Sequence, residues 1–208
     1  MTSGASPRCS TACSTLPPGA LSWQPASSRS WHCTRLAAHL DLQRGLDHGA
    51  WVPLMHLFPD AHVPVVQVSL PFDTDETKAF GLGQALAPLA RDGVLIVGSG
   101  SLTHNLHEFR TGKVAEAAYA QEFSAWVRQA VLDGDMKRLG HTLELAPHAN
   151  RAHPTTEHFL PLLVAAAAAS EPTPVTVLNG GIRHGVLAME SYVFGRRLEL
   201  NVEAHEDA

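Results

Sequence analysis

The feature that most limits what this chain can fold into is its alternation of short β-branched runs with longer segments of helical spacing. Val63–Leu70 (VPVVQVSL) is rich in valine and bounded by prolines, which marks a buried strand. Asp75–Ala90 follows with Phe80, Leu82, Leu86 and Leu89 at helical spacing, interrupted by glycines and Pro88. Gly93–Ser101 (GVLIVGSGS) is an apolar run that ends in a Gly/Ser loop and reads as a strand. Gln121–Gly134 puts Phe123, Trp126, Val127, Ala130 and Val131 on one helical face and stops at Gly134. Thr155–Ser170 reads as another helix, with Thr155 as N-cap and Glu157 in the first turn, where the helix dipole favours an acid. Pro174–Gly181 and Gly185–Gly195 read as two further strands. Such alternation predicts an α/β domain with a largely parallel sheet, whose ligands bind at the carboxyl ends of the strands.

Composition excludes some functions. A formal charge of −5 and a pI near 6.2 leave no basic face for nucleic acid. The longest apolar run, LPLLVAAAAA, is too short to span a bilayer and reads as a buried helix, so no membrane partner and a cytoplasmic location are expected. Thirteen histidines favour an enzyme, because imidazole is both the commonest metal ligand and an acid/base near neutral pH.

The chain divides into three parts. Residues 1–34 hold eight Ser, four Thr, four Pro and all three Cys, and no acid occurs before Asp41. They are expected to form a divergent, disordered segment, and Cys9, Cys13 and Cys33 match no disulfide or metal spacing. Residues 35–200 form the expected catalytic domain, and 201–208 a polar tail.

Four histidine-bearing segments fall at strand ends or helix starts: RGLDHGAWVPL with His48, GSGSLTHNLHEF with His104, AHPTTEHF with His153 and His158, and NGGIRHGVLAMESY with His184. Each also has a plainer reading. A histidine beside glycine is commonly a turn residue. Gly98-Ser99-Gly100-Ser101 resembles a phosphate cradle, yet it lacks the P-loop lysine and fits neither GxGxxG nor GxSxG. His153 and His158 are five apart, not the four of HExxH. From the residues alone the reading is an α/β protein with a histidine-lined pocket, with metal dependence left open.

Taken in order, GLDHGAWVPL, VPVVQVSL, GSGSLTHNL, HPTTEHFLPL and SYVFG resemble the extradiol ring-cleaving dioxygenases of the DOPA-dioxygenase type, the class III, LigB-like enzymes, over Arg35 to Gly195. The resemblance implies a three-layer α/β sandwich with a mostly parallel central sheet. It also implies one non-haem ion, ferrous iron (Fe2+) or zinc (Zn2+) in its place, with a small aromatic diol and O2 as reactants. Carried over by position, His158 matches the late metal ligand. His104 matches the acid/base, sometimes counted with the metal, and His48 a catalytic pocket histidine that contacts substrate or the oxygen intermediate. His153 falls on the substrate side or behind the ligands. Glu157 matches a group that orients an imidazole, although a dipole-favoured first-turn acid explains it equally, and His184 is not expected to be a ligand.

The departures are equally specific. The family's HGSP-type and SAHW-type motifs each supply a metal histidine, and neither occurs here; His32 and His39 stand in unrelated surroundings. The resemblance therefore predicts a truncated or frame-disrupted member lacking the family's first strands and two of three metal ligands, with exposed apolar sheet. The alternative to a dioxygenase is a non-catalytic remnant or small-molecule binding module with the same pocket. A zinc-dependent hydrolase is a third reading.

Overall fold

The computed structural model describes residues 12–15, 40–41, 43–112, 115–169 and 174–199. Its elements in chain order are β1 (Ala12–Thr15), β2 (Leu40–Asp41), α1 (His48–Leu57), β3 (Val65–Gln67), α2 (Glu76–Arg91), α3 (Leu106–Phe109), α4 (Ala118–Leu132), α5 (Met136–Leu139), α6 (Thr142–Leu145), α7 (Ala149–Ala152), α8 (Leu160–Ala168), β4 (Val175–Leu178), β5 (Ile182–Arg183), β6 (Leu187–Ala188) and β7 (Ser191–Phe194). The expectation for residues 1–34 lies outside the described residues except at Ala12–Thr15, which form a strand; residues 201–208 lie outside them entirely.

The core is built around three helices. Asp75 caps α2 by accepting the Lys78 N–H at 2.7 Å, and Glu76 occupies its first turn. Ala79, Leu82, Gly83 and Leu86 are its buried stripe, at helical spacing. That stripe packs on α8, and a β-carbon on Gly83 would collide with the Val164 carbonyl. The alanine-rich sequence of α8 suits this close approach. Helix α4 buries Tyr119, Ala120, Phe123, Ser124, Val127, Ala130 and Val131. Four of the five expected face residues are therefore buried. The fifth, Trp126, stays half-exposed with the Arg138 guanidinium 4.4 Å above its ring. Phe123, Val127, Val131, Leu139, Phe159, Leu160, Leu163 and Val186 are the large side chains wholly removed from solvent.

Helices and strands mix as an α/β chain requires, but the strand pairing differs from the expected parallel sheet. β1 pairs parallel with β2 and antiparallel with β3, giving the order β2-β1-β3. β4 with β7 and β5 with β6 are antiparallel pairs. The short link between β5 and β6 permits nothing else, because a parallel pair needs a crossover of a dozen residues or more.

Gly93–Ser101 is not a paired strand among the described residues. Its far end is instead drawn onto the start of α8: a β-carbon on Gly98 would strike the Pro161 carbonyl, and one on Gly100 the His158 carbonyl. Val66, Val68, Leu95 and Val97 are exposed at alternate positions. Helix α1 buries no residue and leaves Trp51 and Met55 open to solvent.

Helix α8 begins later than expected. Its N-cap is Phe159, without a side-chain cap, and Pro161 sits in the first turn, where a missing N–H costs nothing. Thr155 is not the cap; its hydroxyl donates to Glu157 Oε1 at 2.8 Å. Glu157 therefore lies in the turn before the helix, not in its first turn.

Candidate active site

Residues 101–105 lie along residues 151–158, joined at nearly every position. The Ser101 N–H donates to the His158 carbonyl at 2.8 Å, and the His104 N–H to the Ala152 carbonyl at 2.8 Å. His153 Nε2 bonds the Leu102 carbonyl at 2.8 Å, and Asn105 Nδ2 donates to the Arg151 carbonyl at 2.8 Å. Asn105 also caps α3 by accepting the Glu108 N–H at 3.0 Å. The glycines of the GSGS loop thus serve close backbone approach, and the phosphate-cradle reading is not needed to explain them.

This lacing brings His104 and His158 together. Their rings stack with centroids 3.5 Å apart and 28° between planes. Both are half-buried. Burial first, and then the neighbouring His158 charge, hold the His104 pKa below the ordinary imidazole value, while Glu157 pulls it slightly back. His104 is therefore neutral near pH 7 and able to accept a proton.

His153 lies beneath the pair at 3% exposure, with the Phe123 and Phe159 rings 5.5 and 5.3 Å away. Burial pushes its pKa down to about 4, opposed by the hydrogen bond to the Leu102 carbonyl and helped by the nearby His104 and His158. A carbonyl can only accept, so Nε2 must carry the proton. Nδ1 is then a bare acceptor, buried with no hydrogen-bond partner.

Glu157 is exposed, with Oε1 3.6 Å from His158 Nε2. Burial raises its carboxyl pKa, but the Thr155 hydroxyl, its own backbone and the two imidazoles outweigh this and keep it low.

His48 opens α1 and is exposed. Asp47 caps the helix by accepting the Ala50 N–H at 3.1 Å and is itself held by Gln67 of β3 through two 2.9 Å hydrogen bonds. A β-carbon on Gly49 would lie 3.7 Å from Ser99 Oγ, so this helix start borders the GSGS loop. His184 is apart from the cluster. It takes a left-handed conformation (φ 50°) in the β5–β6 turn, with its ring edge-on to Phe109 at 5.2 Å.

Sequence reasoning missed the residues that hold the histidines. Thr103 is fully buried, and its hydroxyl donates to the Val186 carbonyl at 2.7 Å while accepting the Ala188 N–H at 2.7 Å. Arg151 grips Glu108 through Nε at 2.7 Å and lies over the Tyr119 ring at 4.2 Å. Threonine and asparagine beside a histidine gave no signal for the contacts of Thr103 and Asn105, which reach 46 to 85 residues along the chain.

The described residues do not fit a mononuclear metal centre. Nowhere among them do three His, Cys, Asp or Glu side chains converge as ligands. Imidazole lone pairs lie in the ring plane, and two rings binding one ion must aim them at a point about 2.0–2.1 Å from each nitrogen. The near-parallel stack of His104 on His158 does not do so. His32 and His39 lie outside the described residues.

The family described as the catalytic LigB subunit of aromatic ring-opening dioxygenase matches residues 30–195. The chain belongs to this LigB family. It is 40% identical over 158 residues to the 4,5-DOPA dioxygenase extradiol of Beta vulgaris, covering 76% of this chain and 59% of that protein. The protein of the same name from Escherichia coli is 32% identical over 162 residues, covering 73% of this chain and 57% of its own length. Against these curated relatives the LigB-family chain thus spans less than two thirds of the protein. A crystal structure of an uncharacterized protein from Escherichia coli K12 superposes with a TM-score of 0.70 at 26% identity, covering 89% of this chain and 81% of that one. Among the described residues of this LigB member, no helix is long and apolar enough to cross a membrane.

Proposed function

We propose that this chain acts on catechol-type diols as an extradiol ring-cleaving dioxygenase that consumes O2. The observation that carries the reading is the stacked His104–His158 pair, held on a strap laced by backbone hydrogen bonds, in a LigB-family chain. His104, neutral because it is half-buried beside another imidazole, takes the proton of one phenolic hydroxyl and later returns it. His48, exposed at a helix start that borders the GSGS loop, contacts the diol from the solvent side. His153 is too deep to touch it, so its role is to support the Leu102 carbonyl beneath the strap.

The reading assigns His158 to a ferrous ion, which zinc can replace. No step is derived through the ion, because the described residues do not complete its coordination. The finer fold belongs to the proposal too: a three-layer sandwich with a mostly parallel central sheet, of which the parallel β1–β2 pair is the part among the described residues that supports it. So does a cytoplasmic location, which suits three cysteines with no disulfide spacing.

A second reading is favoured by that incomplete ligand set: a non-catalytic module that binds small aromatic diols in the same pocket. Equilibrium binding of 3,4-dihydroxyphenylalanine without oxygen, followed by oxygen uptake on exposure to air, separates the two. Binding with uptake supports the dioxygenase, binding without uptake supports the module, and no binding rejects both.

A further inference from the structure

Of the contacts that anchor residues 101–105, four run to residues 151–158: Ser101 to His158, Leu102 to His153, His104 to Ala152 and Asn105 to Arg151. Such contacts keep the two segments together but leave the pair free to shift as a unit. Thr103 is different. Its hydroxyl enters the β5–β6 hairpin, donating to the Val186 carbonyl and accepting the Ala188 N–H, both at 2.7 Å. It thereby supplies a donor and an acceptor that a neighbouring strand would otherwise provide. The Ser101 hydroxyl, donating to the Thr103 carbonyl at 2.8 Å, stiffens the same turn. Thr103 is wholly buried, so water cannot replace either bond.

We infer that Thr103 is a positioning residue for His104, fixing the histidine strap to the C-terminal hairpin. The inference rests on the reading of His104 as the acid/base. Thr103 touches no substrate; it acts through the backbone on which His104 is mounted. Valine in its place keeps the volume and removes the hydroxyl, leaving the Val186 carbonyl and Ala188 N–H unpaired. Serine keeps the hydroxyl and loses only a methyl group.

Amide hydrogen exchange of the full chain tests this without any need for activity. In Thr103→Val, protection at the His104 and Ala188 amides should fall about tenfold while Val127 and Val131 in α4 keep theirs, and Thr103→Ser should restore the wild-type pattern. Unchanged protection at His104 in the valine variant would overturn the inference. So would an equal fall in α4, including outright unfolding, or a serine variant as exposed as the valine one, since each makes Thr103 merely structural. Where the wild-type chain consumes oxygen with a catechol, the valine variant should lower kcat and leave KM unchanged. A wild type without oxygen uptake defeats the proposed activity but leaves the exchange result to decide on Thr103.

Discussion

The Ser101 N–H donates to the carbonyl oxygen of His158 at 2.8 Å, which places the backbone carrying one candidate histidine directly on the loop carrying another. Only a residue without a β-carbon fits beside this bond, because such a carbon on Gly100 would meet the same carbonyl. Gly100→Ala should therefore destabilise the chain by about 1–3 kcal/mol through forced backbone shifts. Gly45→Ala, where nothing lies within 4 Å, should change stability by less than about 0.5 kcal/mol. Urea unfolding followed by tryptophan fluorescence compares the two, and equal effects would remove the close-approach account of the GSGS loop.

The helices α2, α4 and α8 can be read from sequence because their signals are local. Of the expected α2 residues Leu82 and Leu86 are buried while Phe80 and Leu89 stay half-buried beside them, and the stop at Gly134 lies next to the helix it ends. The start of α8 was misread because Thr155 spends its hydroxyl on Glu157, leaving the helix to begin near Pro161. The strand in Gly93–Ser101 was misread because its apolar run says nothing about partners, and Gly98 and Gly100 are committed to the start of α8. His104 and His158 stand out in the sequence as candidates, but their separate roles come only from the family resemblance. Their stacking, and the supports at Thr103 and Asn105, depend on contacts between distant parts of the chain.

His153 gives the chain an acid-sensitive core. Its folded pKa of about 4 lies below the ordinary 6.5, so between those values the unfolded chain binds a proton that the folded chain does not. The stabilisation is complete above pH 6.5 and is lost as pH falls toward 4. Between pH 7.5 and 5 this one group should cost about 2 kcal/mol. His153→Leu should be less stable at pH 7.5 for want of the Leu102 hydrogen bond, yet lose about 2 kcal/mol less than wild type on acidification. Urea midpoints at the two pH values measure this, and parallel losses would show that His153 is not the group responsible.

Glu190 is nearly buried, with its side chain 4% exposed, and it is paired with Arg128 and Tyr192. Arg128→Met should leave that carboxylate without its counter-ion. Because the Arg128 side chain is 40% exposed, water replaces part of the pairing. The expected loss is about 2 kcal/mol, below the roughly 3–5 kcal/mol of a fully buried pair. Double substitution with Glu190→Gln should recover part of it. A thermodynamic cycle of the two single variants and the double variant reads the coupling, and a coupling near zero would contradict the pairing.

His104→Gln keeps a polar group on the strap but cannot take up a proton near neutral pH. In an active chain it should lower kcat by about 10²–10⁴-fold while catechol binding stays nearly constant. Steady-state oxygen uptake together with anaerobic catechol titration separates the two effects. Loss of binding in step with kcat would move His104 from proton transfer to substrate holding.

The central claim is that the His104–His158 pair serves extradiol cleavage. Its most direct test is oxygen uptake by the full chain, loaded anaerobically with ferrous iron and then mixed with 3,4-dihydroxyphenylalanine. The account predicts catechol-dependent uptake with formation of a yellow ring-opened semialdehyde, slowed by about a hundredfold or more in His104→Gln and abolished in His158→Ala. Iron-loaded chain that consumes no oxygen, or consumes it equally in wild type and both variants, would contradict it.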